Sequence, residues 1–139
     1  MEVEKGPIRR FADAVADPNP LYRDEEYARK SRYGAIIAPP GFYGWPIQGG
    51  DLRAGLDIRK EITNFLTDRG YQRLIEKDIE FEFMLPVYAG DRLIALPRIA
   101  DVHYRQGKTG GRFSIVIEID FTKQKAQPVA RMRQTLVIY

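Results

Sequence analysis

The residues best placed to do chemistry are Asp17 and Tyr22. They stand five positions apart in Ala16-Asp17-Pro18-Asn19-Pro20-Leu21-Tyr22, a turn stiffened by two prolines around an asparagine. Proline fixes its own φ and pushes the residue before it out of the helical region, so Asp17 sits on a backbone with little freedom. A carboxylate held this way can take up or return a proton. It can equally hold the turn by accepting backbone N–H groups, and both readings stand. Tyr22, a phenol titrating at about pH 10, is a neutral hydrogen-bond donor at neutral pH and not a ready base. Asn19 is expected to fix the turn and, through it, to order the loop.

Other chemistry is scarce. The chain has no cysteine, which removes disulfides, thiolate catalysis and cysteine-ligated metals. Its single histidine, His103, falls in a predicted strand far along the chain, where a surface or structurally satisfied role is expected. Neither a metal nor another cofactor is expected.

The elements that must position the turn follow from periodicity. Ile8, Phe11, Ala12 and Val15 recur at i, i+3, i+4 and i+7 after Pro7, predicting an amphipathic helix that Pro18 and Pro20 end. Asp24 reads as the N-cap of a short helix over Glu25 to Lys30. The apolar segment Gly34 to Gly44 runs through Pro39-Pro40 into a predicted helix beginning near Pro40 or Gly41, with Pro46, Gly49, Gly50 and Gly55 as interruptions. Ile62, Phe65 and Leu66 suggest a further helical turn.

From Tyr71 the pattern changes to period two. Ile79, Phe81 and Phe83 alternate with Glu80 and Glu82, then Leu85 to Asp91 turns, and Leu93 to Tyr104 forms a second strand with Pro97 at an edge or bulge. Gln106 to Gly111 reads as a hairpin loop. Phe113, Ile115, Ile117, Ile119 and Phe121 form a third strand, and Val129 to Ile138 a fourth. Helices followed by antiparallel strands indicate an α+β domain with helices on one face of the sheet.

The 139 residues suffice for one domain, expected to cover 1–139. A composition of 44% hydrophobic and 29% charged residues is globular and argues against a disordered chain. No apolar run approaches the roughly 20 residues that span a bilayer, and the N-terminus lacks a signal-peptide pattern. A cytoplasmic location away from membranes is therefore expected. The net charge of +3, with basic and acidic residues interspersed, reveals no nucleic-acid arm.

Three segments, in order, resemble the MaoC-like hydratases and dehydratases, in particular their N-terminal-type or FAS1-like dehydratase branch. Ala16-Asp17-Pro18-Asn19-Pro20-Leu21-Tyr22 resembles the family's Gly-Asp-x-Asn-Pro-Leu-His turn. Tyr33-Gly-Ala-Ile-Ile-Ala-Pro-Pro-Gly-Phe-Tyr43 resembles its lead into the central helix, and Phe83-Met-Leu-Pro-Val-Tyr-Ala-Gly-Asp91 its Pro-Val-x-x-Gly-Asp turn. The resemblance implies a hot-dog fold, in which a curved antiparallel sheet wraps around a central helix, and pairing with a second such unit as a homodimer or heterodimer.

It also implies a chemistry. The family's Asp and His, five residues apart, move protons while water adds across, or leaves, a 2-enoyl or 3-hydroxyacyl thioester. By position Asp17 matches the acid, Tyr22 stands where the histidine would be, and Gly41 is the closest candidate donor to the thioester oxygen. Phe42, Tyr43 and Trp45 are candidates for an acyl pocket, although ordinary core packing is the commoner use of such aromatics. Arg105, Lys108 and Arg112 flank the glycine-rich hairpin and are candidates for coenzyme A phosphates, with a solvated hairpin as the alternative.

The reading that results is a subunit of an enoyl-thioester hydratase or 3-hydroxyacyl-thioester dehydratase, acting on acyl-CoA or acyl-carrier-protein substrates and completed by a partner hot-dog chain. A non-catalytic acyl-thioester binding or scaffolding subunit is the alternative. A thioesterase of the same fold fits the Asn-Pro-Leu turn less well.

Overall fold

The computed structural model describes residues 2–42, 54–108 and 110–139, with residues 54–57 described in backbone only. Helix α1 spans Lys5–Ala14, a single 3-10 turn Pro20–Tyr22, helix α2 Glu25–Lys30 and helix α3 Ala54–Thr67. The strands are β1 Leu74–Phe83, β2 Ile94–Gly107, β3 Gly110–Lys123 and β4 Gln127–Ile138. They form one antiparallel sheet in the order β1-β4-β3-β2, the curved sheet of a hot-dog fold.

Alternation decides the faces of the sheet. Ile115, Ile117, Ile119 and Phe121 of β3 are buried beside Met132, Leu136 and Ile138 of β4. A buried side chain of this size contributes about 1.5–3 kcal/mol, so this inner face supplies much of the driving force for folding. The opposite, outer face carries charge in register across all four strands: Glu80 pairs with Arg133, Arg133 with Glu118, and Glu118 with Arg98. Glu118, 5% exposed, accepts from Arg98 and lies 3.5 Å from both Arg131 and Arg133.

β2 is an edge strand, which is why Pro97 fits there without disrupting a central ladder. Its register slips between Ile99 and Asp101. Helix α3 lies against β2, and Arg59 forms an ion pair with Glu76 of β1, a residue opposite Leu136. The helix is therefore on the inner face. Gly55 is the second described residue of α3, and Pro46, Gly49 and Gly50 lie outside the described residues.

The C-terminal ends of α1 and α3 use the same device. At α3, Tyr71 N–H donates to Leu66 O and Gly70 N–H to Thr67 O, with Gly70 at φ +93. At α1, Asp17 N–H donates to Ala12 O (2.8 Å) and Ala16 N–H to Asp13 O (3.1 Å), with Ala16 at φ +54. Both are Schellman closures, which ask for a left-handed residue and usually take glycine. Ala16 is therefore a strained substitute. Ile8 and Ala12 of α1 are buried as predicted, whereas Val15 is 54% exposed because the helix has already ended at Ala14.

The turn Pro86–Asp91 organises the rest. Asp91, buried, accepts from Tyr88 N–H (2.9 Å) and Gln124 Nε2 (2.6 Å) and pairs with Lys123 at 3.3 Å. Its carbonyl accepts from Val3 N–H, and Gly90 N–H donates to Val3 O. One aspartate thus fastens the N-terminus and the end of β3 to this turn. Ala38 N–H donates to Val87 O and Ala89 N–H to Ile36 O, so Ile36–Ala38 is laid beside it.

Candidate functional site

The Schellman closure of α1 aims the chain into the Asp17 turn, and each polar residue there caps the next. Asp17 Oδ1 accepts from Asn19 N–H (3.0 Å), and Asn19 Oδ1 accepts from Leu21 N–H (3.0 Å), starting the 3-10 turn that carries Tyr22. Asp17 is half-buried and its Oδ2 has no hydrogen-bond partner among the described residues. Arg23 holds the turn from outside: Nη2 donates to Asp17 O (2.7 Å) and Nη1 to Asp13 Oδ1 (2.9 Å). Its Nε is buried without a partner among the described residues, a cost offset by the two bonds that the guanidinium makes at the turn.

Tyr22 is 6% exposed and lines a cleft of about 520 Å³. The cleft lies between the Asn19–Tyr22 turn, the Ile37–Pro40 segment and Phe83 to Val87 at the end of β1. Polar and apolar groups share its walls, the polar side chains coming from Asn19, Tyr22, Arg32 and Tyr33, and Asp17 is not among its lining residues. Burial, then the negative charge of Asp17, then Tyr33 push the Tyr22 phenol above its ordinary pKa. The phenol therefore stays protonated and has no hydrogen-bond partner among the described residues, so its O–H is available to a ligand or a water. Arg32 donates to Tyr33 Oη (2.6 Å) beside the cleft.

The structure brings Asp17, Asn19 and Tyr22 together and separates the other candidates. Gly41 lies in a turn at φ +83, beside the cleft-lining Pro40, so no helix begins at Pro40 or Gly41. That conformation belongs to glycine and is outside the right-handed helical region. Phe42 lines none of the described clefts: it is 1% exposed and packs edge-on to Phe11 with ring centroids 5.9 Å apart. Tyr43 and Trp45 lie outside the described residues.

His103 is on the outer face of β2, opposite Ser114, and pairs with Asp101 at 2.8 Å. It does not meet Asp17. Arg105, Lys108 and Arg112 sit at the β2–β3 hairpin, where Tyr104 pairs with Phe113, Phe113 with Ile138 and Ile138 with Leu74. The cleft opens at Phe83, the other end of β1, a strand spanning roughly 30 Å. These cations are thus remote from their own chain's Asp17 turn.

Sequence reasoning missed Arg23, Tyr33 and Arg32. Arg23 had a weak signal, a cation directly after the motif. The other two had none, because their place depends on how Ile36–Ala38 docks beside Val87.

A family profile described as "FAS1-like, dehydratase domain region" matches residues 1–132. A UPF0336 protein of Saccharopolyspora erythraea is 30% identical over 98% of this chain and 80% of its own length. Another, from Streptomyces avermitilis, is 37% identical over 73% of this chain, which covers 63% of that relative. A probable enoyl-CoA hydratase alpha subunit of Thermomonospora curvata is 28% identical, and this chain covers 43% of it. Among solved structures, a chain of the ChsH1-ChsH2 complex from Mycobacterium tuberculosis superposes with a TM-score of 0.78 at 24% identity, over 99% of this chain and 82% of that one. A chain of the C-terminally truncated HadBC 3R-hydroxyacyl-ACP dehydratase complex from the same organism gives 0.69 at 26% identity, over 99% and 88%.

Proposed function

Because the chain belongs to the FAS1-like dehydratase family, we propose that it is one subunit of an enoyl-thioester hydratase or 3-hydroxyacyl-thioester dehydratase. The observation that carries the reading is the Asp17–Tyr22 turn, whose Asn19, Leu21 and Tyr22 line a cleft while Asp17 caps the same turn through Asn19 N–H. Asp17 Oδ2 is the proton acceptor for a water adding to C3 of a 2-enoyl thioester, and returns that proton to the departing hydroxyl in the reverse direction. Tyr22, held protonated, donates a hydrogen bond to the water or to the thioester oxygen as charge builds. The proton that reaches C2 comes from a second hot-dog chain, since Tyr22 stands where the family carries its histidine.

Two features support a partner. The edge strand β2 leaves Ile99, Val102 and Tyr104 about half exposed on the sheet's inner face, an apolar row suited to a second subunit. The neighbours from the ChsH1-ChsH2 and HadBC complexes come from assemblies of two kinds of chain. The partner and the thioester are the proposal's own content.

The test is hydration of a short 2-enoyl-CoA, followed by loss of enoyl-thioester absorbance, by this chain alone and after assembly with a hot-dog partner that carries an intact Asp and His. Asp17→Asn in the assembly should lower turnover by about 100-fold or more if Asp17 moves the proton. Unchanged turnover would assign Asp17 to the turn. The alternative, a non-catalytic acyl-thioester binding subunit, draws on the Asp17–Asn19 bond, which already occupies one carboxylate oxygen. Thioester binding without turnover in every assembly would favour it.

A further inference from the structure

The cleft holds two phenols, and they stand beside charges of opposite sign. Tyr22 and Tyr33 both line it, Tyr22 from the 3-10 turn and Tyr33 from the loop that follows α2. Tyr22 shares its turn with Asp17, whose negative charge reaches the phenol. Tyr33 stands beside Arg32 instead. Arg32 Nη2 donates to Tyr33 Oη (2.6 Å), and its guanidinium carbon lies 4.7 Å from the centre of the Tyr33 ring. Among the described residues no carboxylate pairs with Arg32, so its charge acts on the phenol undiminished.

The backbone fixes where the second phenol stands. Ser31 Oγ donates to Ala28 O at the end of α2 (2.6 Å) and accepts from Tyr33 N–H (3.1 Å). Gly34 N–H closes the same turn on Ser31 O (3.1 Å), with Gly34 at φ +72. A side chain carried by a turn tied in this way keeps its place before any ligand arrives, which is the preorganisation that a donor to a developing oxyanion needs. Arg32 occupies one lone pair of Tyr33 Oη, and the Tyr33 O–H donates to no acceptor among the described residues. That proton is free for a ligand in the cleft.

We propose that Tyr33 donates this hydrogen bond to the carbonyl oxygen of the thioester, with Arg32 as the residue that positions the phenol, and that Tyr22 is left to orient the water beside Asp17. The assignment rests on the hydratase reading above. Its reason is the sign of the neighbouring charge. Water gives its proton to Asp17 as its oxygen bonds to C3, the π pair between C2 and C3 moves into the C1–C2 bond, and the carbonyl π pair moves onto its oxygen. Negative charge therefore builds on that oxygen until C2 takes up a proton. A donor backed by a cation stabilises this charge, and a donor backed by a carboxylate does so less well. Tyr33 keeps its own proton throughout.

Difference infrared spectroscopy of the crotonyl thioester of N-acetylcysteamine, isotope-labelled at its carbonyl carbon and bound to the full chain, tests this. The probe carries no phosphate, so it reports on the cleft alone. Its carbonyl band should move to lower frequency on binding. Tyr33→Phe should lose most of that shift and Tyr22→Phe less of it. Arg32→Ala should lose a part that Arg32→Lys restores, because only one bond is asked of the cation. Arg92→Ala, an exposed cation elsewhere, should match wild type. In an assembly that turns over, Tyr33→Phe should lower kcat at least about 10-fold with KM little changed. No shift at millimolar probe, a shift that survives Tyr33→Phe, or a larger loss in Tyr22→Phe would overturn the proposal. A Tyr33-dependent shift alongside unchanged turnover in Asp17→Asn would refute the proton role of Asp17 and leave Tyr33 as the carbonyl donor.

Discussion

Replacing Ala16 by glycine should stabilise this protein, and replacing Gly70 by alanine should destabilise it, although both residues close a helix in the same way. Ala16 holds φ +54 so that Asp17 N–H can reach back to Ala12 O. A left-handed conformation costs a non-glycine residue about 1–2 kcal/mol. Glycine removes that strain but gives back about 0.5–1 kcal/mol through its greater freedom in the unfolded chain. Ala16 is exposed, so losing its methyl costs little packing. The net gain is about 0.5–1 kcal/mol, roughly 2–4 °C in Tm for a chain of this size. Gly70 is at φ +93 with nothing within 4 Å of a built Cβ, so alanine there meets backbone strain alone. A loss of about 1 kcal/mol follows. Urea unfolding followed by circular dichroism measures both, and the slope should stay constant so that midpoints report stability. If Ala16→Gly lowers the midpoint, or Gly70→Ala leaves it in place, helix closure does not set the strain at the Asp17 turn and the reasoning fails.

Three further outcomes are expected. Tyr22, with its folded pKa raised by burial and Asp17, contributes stability that is present below about pH 10 and is lost as pH rises through the folded value. Tyr22→Phe should flatten the alkaline arm of the stability profile, and an unchanged arm would place the phenol's titration elsewhere. Arg23→Ala should cost about 1–2 kcal/mol by releasing Asp17 O and Asp13, and Arg23→Lys should not restore it, because one ammonium cannot reproduce the fork; full rescue by lysine in denaturant melts would refute this. Glu118→Ala should destabilise by about 1–3 kcal/mol, since it removes the buried carboxylate shared by three arginines, whereas Lys5→Ala, which removes an exposed ion pair with Glu25, should cost under about 1 kcal/mol. Similar losses from both would contradict the burial argument.

Much of this molecule is set locally and could be read from the residues. Asp24 caps α2, whose Tyr27 N–H donates to it at 2.9 Å, and the helix covers Glu25–Lys30 as the capping pattern predicts. β3 and β4 follow the alternation of their side chains, whereas β1 and β2 each carry a register shift and show no period-two burial. The Asp17 turn is equally local: its prolines, its Asx bonds and its helix closure all lie within about ten residues. Family membership was legible for the same reason, since the motifs that carry it are contiguous turns.

What depended on distant partners was not legible. Whether Phe42 was core or pocket could not be read from its neighbours, and its edge-on contact with Phe11 comes from packing between separate segments. Arg105, Lys108 and Arg112 stood as candidates for coenzyme A phosphates, and strand register places them at the end of the sheet away from the Asp17 turn. Tyr33 and Arg32 reach the cleft only because Ile36–Ala38 pairs beside Val87. Sequence by itself determined the form of the Asp17 turn, because that turn is built from consecutive residues. Only the tertiary structure decided what faces it, because strand register and packing join residues that share nothing along the chain.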